Sequence, residues 1–296
     1  MLITETTITN SNGDAITFGR HFNLAESLDL SSLSADVSYA ESIRDGANYQ
    51  RTALSVRDLD IPFYIKLRGV PQWRKEELRR EIFKVLNPKQ NPMRMNFVTR
   101  AGEAYFINLN LESTPSMPIK FEESNHVWQK VLAQFTCDDP FIYAATSSVE
   151  EIASWVATFE FPLEIPEGVG IEMGYKSMEL IKNVFNEGDN EIGMTIEFKA
   201  TTTVVTPSLI NVNTYEQLQL NTTMQSGDVI RINTNVGQKS VERIRNNIIT
   251  DAFNTVDLLS TFLQLEPGDN LFRYNATEGL EGLEVRMYFT SKFVGV

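Results

Sequence analysis

The sequence is short of the groups that carry chemistry. Its 296 residues include one cysteine, two histidines and three tryptophans. The lone cysteine, Cys137, excludes an internal disulfide and a thiolate metal cluster, and fits synthesis under reducing conditions. His21 and His126 lie 105 positions apart with no Cys or His beside them, so a zinc site would have to recruit carboxylates from elsewhere. Ordinary surface or core histidines are the expectation. No Gly-x-Ser-x-Gly elbow is present, which argues against nucleophilic hydrolysis. No window approaches the roughly 18 uninterrupted apolar residues of a membrane helix. The start, Met1-Leu2-Ile3-Thr4-Glu5, lacks a basic region leading into an apolar one, so neither a membrane span nor a cleaved signal is expected.

Positive charge is scarce as well. The net charge is -13, with 16 basic and 18 acidic residues in 1–140 and 10 basic and 21 acidic in 141–296. The second half carries -11 of the total, a surface that repels phosphate backbones and anionic lipid. Sequence-specific nucleic acid and membrane are therefore excluded as partners. A protein or a neutral ligand fits better.

What the chain does have is apolar mass, at 42% hydrophobic residues, arranged largely with a period of two. In 59–67, Leu59, Ile61, Phe63, Ile65 and Leu67 share one face while Asp58, Asp60, Tyr64 and Lys66 share the other, which predicts a strand with one buried side. Leu54 and Val56 are in the opposite phase, and the flip near Arg57-Asp58 predicts a bulge or bend. The same period recurs at Tyr105, Ile107, Leu109 and Leu111, and at Val131, Ala133, Phe135 and Cys137. It continues through Met194, Ile196 and Phe198, Ile230 and Ile232, and Leu283, Val285, Met287 and Phe289. Trp155, Ala157, Phe159, Phe161, Leu163 and Ile165 alternate too, with Pro162 marking an edge strand or an inter-domain stretch. One segment differs: Leu78, Ile82, Val85 and Leu86 share a helical face, predicting a helix over 72–87 that Pro71 opens and Asn87-Pro88 ends. Glu76 and Arg80 form an i,i+4 pair on its solvated side.

These patterns predict a mainly β protein of two domains, 1–145 with the helix and 146–296 as a β-sandwich or jelly roll. The boundary falls near 140–154, after Cys137-Asp138-Asp139-Pro140.

Several motifs invite a functional reading and are weaker than they look. Gly168, Gly170 and Gly174 miss the dinucleotide spacing by one residue, with no amphipathic helix following. Asn186-Glu187-Gly188-Asp189-Asn190-Glu191 is rich in oxygens without the twelve-residue calcium loop, and reads as a solvated hairpin turn. Glu266-Pro267-Gly268-Asp269-Asn270 reads as a type II turn reversing the chain. Asn221 and Asn275 head glycosylation sequons that are expected to stay unmodified. A sugar site would need an exposed aromatic. Trp155 sits on an apolar face, leaving Tyr175, Tyr215, Tyr274 and Tyr288 as candidates. No catalytic, cofactor-binding or metal residue is assigned, and none of the carboxylates stands out as a glycosidase pair.

The order of elements resembles the distal tail proteins of long, non-contractile-tailed bacteriophages. The residues that carry the resemblance in the first half are Asp45-Gly46, Arg57-Asp58-Leu59-Asp60-Ile61-Pro62-Phe63-Tyr64-Ile65, the helix closing on Val85-Leu86-Asn87-Pro88, and Phe135 to Tyr143. In the second half they are Val184 to Asp189, Pro207 to Asn211, Gln225 to Ile232 and Leu263 to Asn270. The chain differs in carrying Ile192-Gly193 where the family often has proline, and in the charge of 239–247.

The resemblance implies an amino-terminal β domain that assembles into a hexameric ring and a galectin-like carboxy-terminal β-sandwich. It implies a structural hub without enzymatic activity or cofactor, located at the virion tail tip after assembly in the host cytoplasm. Its implied partners are the tail tube, the tape measure protein and tail-associated lysin or receptor-binding proteins, with DNA only passing through the channel. A carbohydrate-binding host-adhesion module is the alternative. With a net charge of only -2, the first half is the better candidate for subunit contacts.

Overall fold

The computed structural model describes the chain apart from residues 1–2, 20, 26–27, 29, 31–32, 42–44, 119, 121–122, 154, 157–174 and 177–180. It divides into two compact units, Met1–Thr146 with Lys292–Val296, and Ser147–Ser291.

The first unit comprises β1 (Ile3–Thr9), β2 (Ala15–Thr17), β3 (Phe22–Leu24), β4 (Ala35–Glu41), β5 (Ala47–Leu54), β6 (Arg57–Lys66), α1 (Gln72–Val85), β7 (Met93–Thr99), β8 (Ala104–Leu111), β9 (Trp128–Cys137) and β10 (Ile142–Ala144). Its main sheet runs β2-β1-β7-β8-β9-β6-β3 and is nearly closed, like a barrel. Strand β10 pairs with β8 on one side and with the chain's last strand, Lys292–Phe293, on the other.

Strand β6 buries every second residue, as its sequence predicts: Leu59, Ile61, Phe63 and Ile65 join Ile107 and Leu109 of β8 and Val131, Ala133 and Phe135 of β9 in one core. Each large aliphatic or aromatic side chain so buried contributes about 1.5–3 kcal/mol by leaving water. No bulge occurs at Arg57-Asp58, because the β6–β9 ladder is continuous from Arg57↔Cys137 to Lys66↔Trp128. The change of phase has another cause: Leu54 ends a separate two-stranded hairpin, β4–β5, whose residues are exposed on both faces.

Arg57 is itself buried, and its guanidinium donates to three main-chain oxygens, of Pro140 at 3.0 Å, of Val294 at 2.6 Å and of Leu30. Those bonds tie the loop before β4, the turn before β10 and the end of the chain to a single side chain.

Helix α1 packs Leu78, Ile82 and Val85 into the same core. It ends two residues earlier than predicted. Asn87 precedes Pro88 and is held extended (φ -115°, ψ 120°), so Leu86 has already left the helix. Asn10 satisfies the orphan carbonyl of Val85 at 3.1 Å, and Arg79 donates to Gln129 at 2.7 Å. Among the described residues Glu76 and Arg80 form no ion pair; Arg74 and Glu77 form one instead, at 2.8 Å.

The second unit comprises β11 (Ser148–Ala153), β12 (Trp155–Val156), β13 (Tyr175–Lys176), β14 (Ile181–Asn186), β15 (Thr195–Ala200), β16 (Val204–Val205), β17 (Ser208–Asn211), β18 (Gln217–Gln219), β19 (Thr223–Met224), β20 (Val229–Asn233), β21 (Ser240–Arg245), β22 (Ile248–Asp251), β23 (Gly268–Asn275) and β24 (Leu283–Phe289). Two antiparallel sheets, β11-β24-β15-β20-β21-β22 and β14-β23-β17-β18, share one core. Ile196, Phe198, Ile230, Ile232, Val285 and Met287 enter it from the first sheet, and Val184, Leu209, Leu218 and Phe272 from the second. From the alternating run that starts at Trp155, only Trp155–Val156 is described, paired with β13. The rest of that run and the glycines 168–174 lie outside the described residues.

Two turn assignments from the sequence are corrected here. Leu265 bridges to Ile192 and Gly268 pairs with Asn186, so Pro267-Gly268 does not reverse the chain; it kinks a line that keeps its direction along one neighbour. The kink is held by Asn270, 2% exposed, whose side chain accepts from the Glu266 N–H at 3.0 Å and donates to the Glu266 carbonyl at 2.8 Å. Gly268 supplies a φ of 89° that other residues resist. By the same pairing Glu187–Glu191 is not a hairpin turn but a loop between two stretches facing a common partner. It lies where the chain leaves β14 for β15 in the other sheet.

Candidate interaction surfaces

Among the described residues, the side chains whose types carry chemistry are dispersed and share no common site. His21 is half-buried beside β3 with its carbonyl accepting from the Lys66 N–H at 2.8 Å, and His126 is exposed in the turn before β9. Cys137 is buried, and burial pushes its thiol up to about 11 against the opposing pull of the Arg57 guanidinium. Among the described residues no group of three His, Cys, Asp or Glu side chains is able to hold a metal ion. A cleft of about 420 Å³ opens at the β7–β8 turn, lined by Thr99, Arg100, Glu103, Tyr105 and Phe293.

The tyrosines proposed as sugar platforms sort by burial. Tyr274 is 2% exposed and belongs to the core, which removes it as a platform. Tyr288 is half-buried and donates to Glu197 at 3.1 Å. Tyr215 alone among those whose side chains are described stands free, at 85% exposure.

The charge of the second unit is locally organised by one ion pair, in which an exposed arginine closes on a buried carboxylate. Asp228, in the turn between β19 and β20, accepts from Arg245 at 2.6 and 2.5 Å and from the Gln225 N–H at 2.9 Å. The hydrogen bonds from Arg245 hold its carboxyl below the usual carboxylate range.

The surfaces that remain are apolar. The β4–β5 hairpin presents Tyr39 and Tyr49, about 60% exposed and packed edge to face at 6.3 Å, with Val37 and Leu54 nearby in its strands. Among the described residues each of its strands pairs only with the other, so neither outer edge has a described partner. An isolated two-stranded hairpin is marginal in water, so a hairpin of this kind gains its stability from what it touches. Helix α1 presents Trp73 and Phe83 to solvent. The second unit exposes Ile248, Ile249, Phe253, Leu258 and Leu259.

Sequence reasoning did not single out the hairpin. The signal was Asp45-Gly46 between two β-prone runs, with Gly46 at φ 97°.

The family described as phage tail protein RIFT-related domain matches residues 21–165, and that described as siphovirus-type tail component, C-terminal domain, matches 187–293. The chain belongs to the siphophage distal tail protein family.

Solved structures agree with that membership. This distal tail protein is similar to the Dit protein (gp 19.1) of phage SPP1, with a TM-score of 0.65 at 15% identity, over 97% of this chain and 99% of the other. That structure is described as a paradigm of the hub adsorption apparatus in phages infecting Gram-positive hosts. It is also similar to a chain of the phage P2 baseplate in its activated conformation with calcium, with a TM-score of 0.50 at 11% identity and full coverage of both chains. No curated protein matches the chain. The fold of this distal tail protein is thus the mainly β architecture of the family, a barrel-like first unit followed by a second unit of several sheets.

Proposed function

We propose that the protein is a structural hub of the phage tail tip, in which six copies form a ring joining the tail tube to the host-adsorption apparatus. The observation that carries this reading is the correspondence with the SPP1 hub protein along 97% of the chain, spanning both units rather than one shared domain. The exposed β4–β5 hairpin supports assembly, because its apolar side chains are exposed and its outer edges have no described partner in a single copy. The nearly neutral first half is suited to hold the subunit contacts, while the second, at -11, repels its own copies. On this reading the tail tube and tape measure protein meet one face, the lysin and receptor-binding proteins meet the other, and DNA passes through the opening. The protein then acts by holding others in register and performs no catalysis.

The test is electron microscopy of the purified full-length protein in negative stain. Six-fold rings around a central opening are the expected result. Uniform single particles across a range of protein concentrations would remove the self-assembling ring from the proposal.

A further inference from the structure

The second sheet of the second unit turns Val184, Leu209 and Phe272 into the core and leaves Phe185 on the opposite face, 54% exposed. Phe185 stands across from Asp269 in the β14–β23 register, and beyond that pair Ile192 bridges to Leu265, so the Glu187–Glu191 loop runs along Glu266-Pro267. On the other side of β23, the Leu271 N–H donates to the Asn213 side chain at 2.8 Å and the Val212 N–H to the Leu271 carbonyl at 2.7 Å. Those bonds bring the β17–β18 turn and Tyr215, 85% exposed, to the same end of the sheet. Tyr215 holds a φ of 61°, a left-handed conformation that a bulky side chain resists, and the Asn211 side chain, in a residue 2% exposed, fixes the turn by accepting from the Asn213 N–H at 2.9 Å. Strain that serves no burial is a mark of a surface shaped for contact.

Charge selects what covers the two rings. The stretches that build this end, 183–191, 211–217 and 264–271, hold six acidic residues and no lysine or arginine. Elsewhere in the unit carboxylates are neutralised in place, Glu151 by Arg286, Glu197 by Arg231 and Glu284 by Lys199. Glu187, Glu191 and Glu266 are exposed and enter no ion pair among the described residues. On this face the described base is Arg273, four residues along β23 from Asp269 and about 13 Å from it. The second unit of another copy brings the same sign and is repelled, as are phosphate and acidic polymers, and a neutral sugar leaves the carboxylates unanswered. A lysine or arginine side chain answers both features, laying its stem and cation on an aromatic ring while its head pairs with a carboxylate.

We propose that this end of the sheet docks a lysine- or arginine-bearing segment of another protein, with its cations against Phe185 and Tyr215 and paired to Glu187, Glu191 and Glu266. The docking stands whether or not copies of the chain close into a ring.

Fluorescence anisotropy of a labelled peptide of alternating lysine and glycine, titrated with the full chain, tests it. A charge variant, Glu187→Gln with Glu191→Gln and Glu266→Gln, is expected to weaken binding about tenfold. A ring variant, Phe185→Ser with Tyr215→Ser, leaves the net charge unchanged and is expected to weaken it about fivefold. A control that removes three charges elsewhere in the unit, Glu242→Gln with Asp251→Asn and Glu278→Gln, should bind as the unsubstituted protein does. Equal weakening by the control would mean attraction to net charge alone and would overturn the site, as would a ring variant of unchanged affinity or an unsubstituted protein that does not bind. Neutral oligosaccharides that bind where the peptide does not, and are lost in the ring variant, would assign the rings to a sugar and overturn the proposal. Should a variant unfold, a benzophenone-bearing copy of the peptide photo-cross-linked to the unsubstituted protein replaces it. Cross-links within 183–191, 211–217 or 264–271 support the docking, and cross-links confined to other segments overturn it.

Discussion

Asp228 is an acidic residue in a turn whose weight comes from burial. Its side chain is 2% exposed, and the forked guanidinium of Arg245 reaches it from β21, so the turn between β19 and β20 is fixed to the strand beside it. The folded-state pKa is depressed, while in the unfolded chain the group returns to about 3.9. A depressed carboxylate stabilises fully above its unfolded value and loses that contribution as pH falls through the folded one. Asp228→Asn is therefore expected to cost about 1–3 kcal/mol at pH 7, and progressively less below about pH 4. Urea midpoints for both proteins from pH 7 to pH 3 check this; a gap that stays constant over the range would mean that charge is not the source. In the sequence Gln225 to Ile232 stands out only as part of the family resemblance, since nothing local reveals that a side chain 17 positions away closes on Asp228. Asn270 hid in the same way: its neighbours are turn residues, and only its bonds to Glu266 and Gly268 show that it shapes a kink rather than a reversal.

Elements buried on one face were legible because burial writes a period of two into the sequence. Strands β6, β8, β9, β15 and β24 all follow it. The hairpin β4–β5 is wet on both faces, so no alternation marks it, and its apolar residues read instead as a misplaced phase of β6. The β21–β22 hairpin was overlooked although Asn246 and Asn247 hold positive φ values of 50° and 62°, a turn that the Asn-Asn pair signals in sequence. Ile192-Gly193, where the family often carries proline, has a packing reason: a Cβ on Gly193 would lie 2.5 Å from the Asn235 Cα. The backbone of the segment entering β15 runs against the loop after β20, and neither main chain gives way cheaply. Gly193→Ala is accordingly expected to destabilise the second unit by roughly 1–3 kcal/mol. Thermal unfolding followed by near-ultraviolet circular dichroism measures it, and an unchanged midpoint would show that this approach relaxes without cost.

At the scale of the whole molecule, the scarcity of cysteine, histidine and positive charge argued against several classes of function without naming one. The order of weak motifs pointed to the family to which it belongs. What no sequence pattern disclosed is the path of the chain's end. Lys292–Phe293 pairs with Ile142–Ala144, and the Val294 carbonyl accepts from buried Arg57, so the first unit is built from both ends of the sequence. Topologically the second unit is an insertion, leaving its host and rejoining it through two adjacent antiparallel strands about 5 Å apart. It follows that a fragment cut after Thr146 is an incomplete domain, whereas Thr146 joined to Lys292 by a short Gly-Ser linker restores it. The spliced protein should melt cooperatively and at a higher temperature than the plain fragment; equal melting temperatures would mean that the returning strand adds nothing. A module spliced in at neighbouring strands can be exchanged without refashioning its carrier. Lineages of such a protein are free to replace the inserted unit while keeping its host, and a designer can make the same substitution at Thr146 and Lys292.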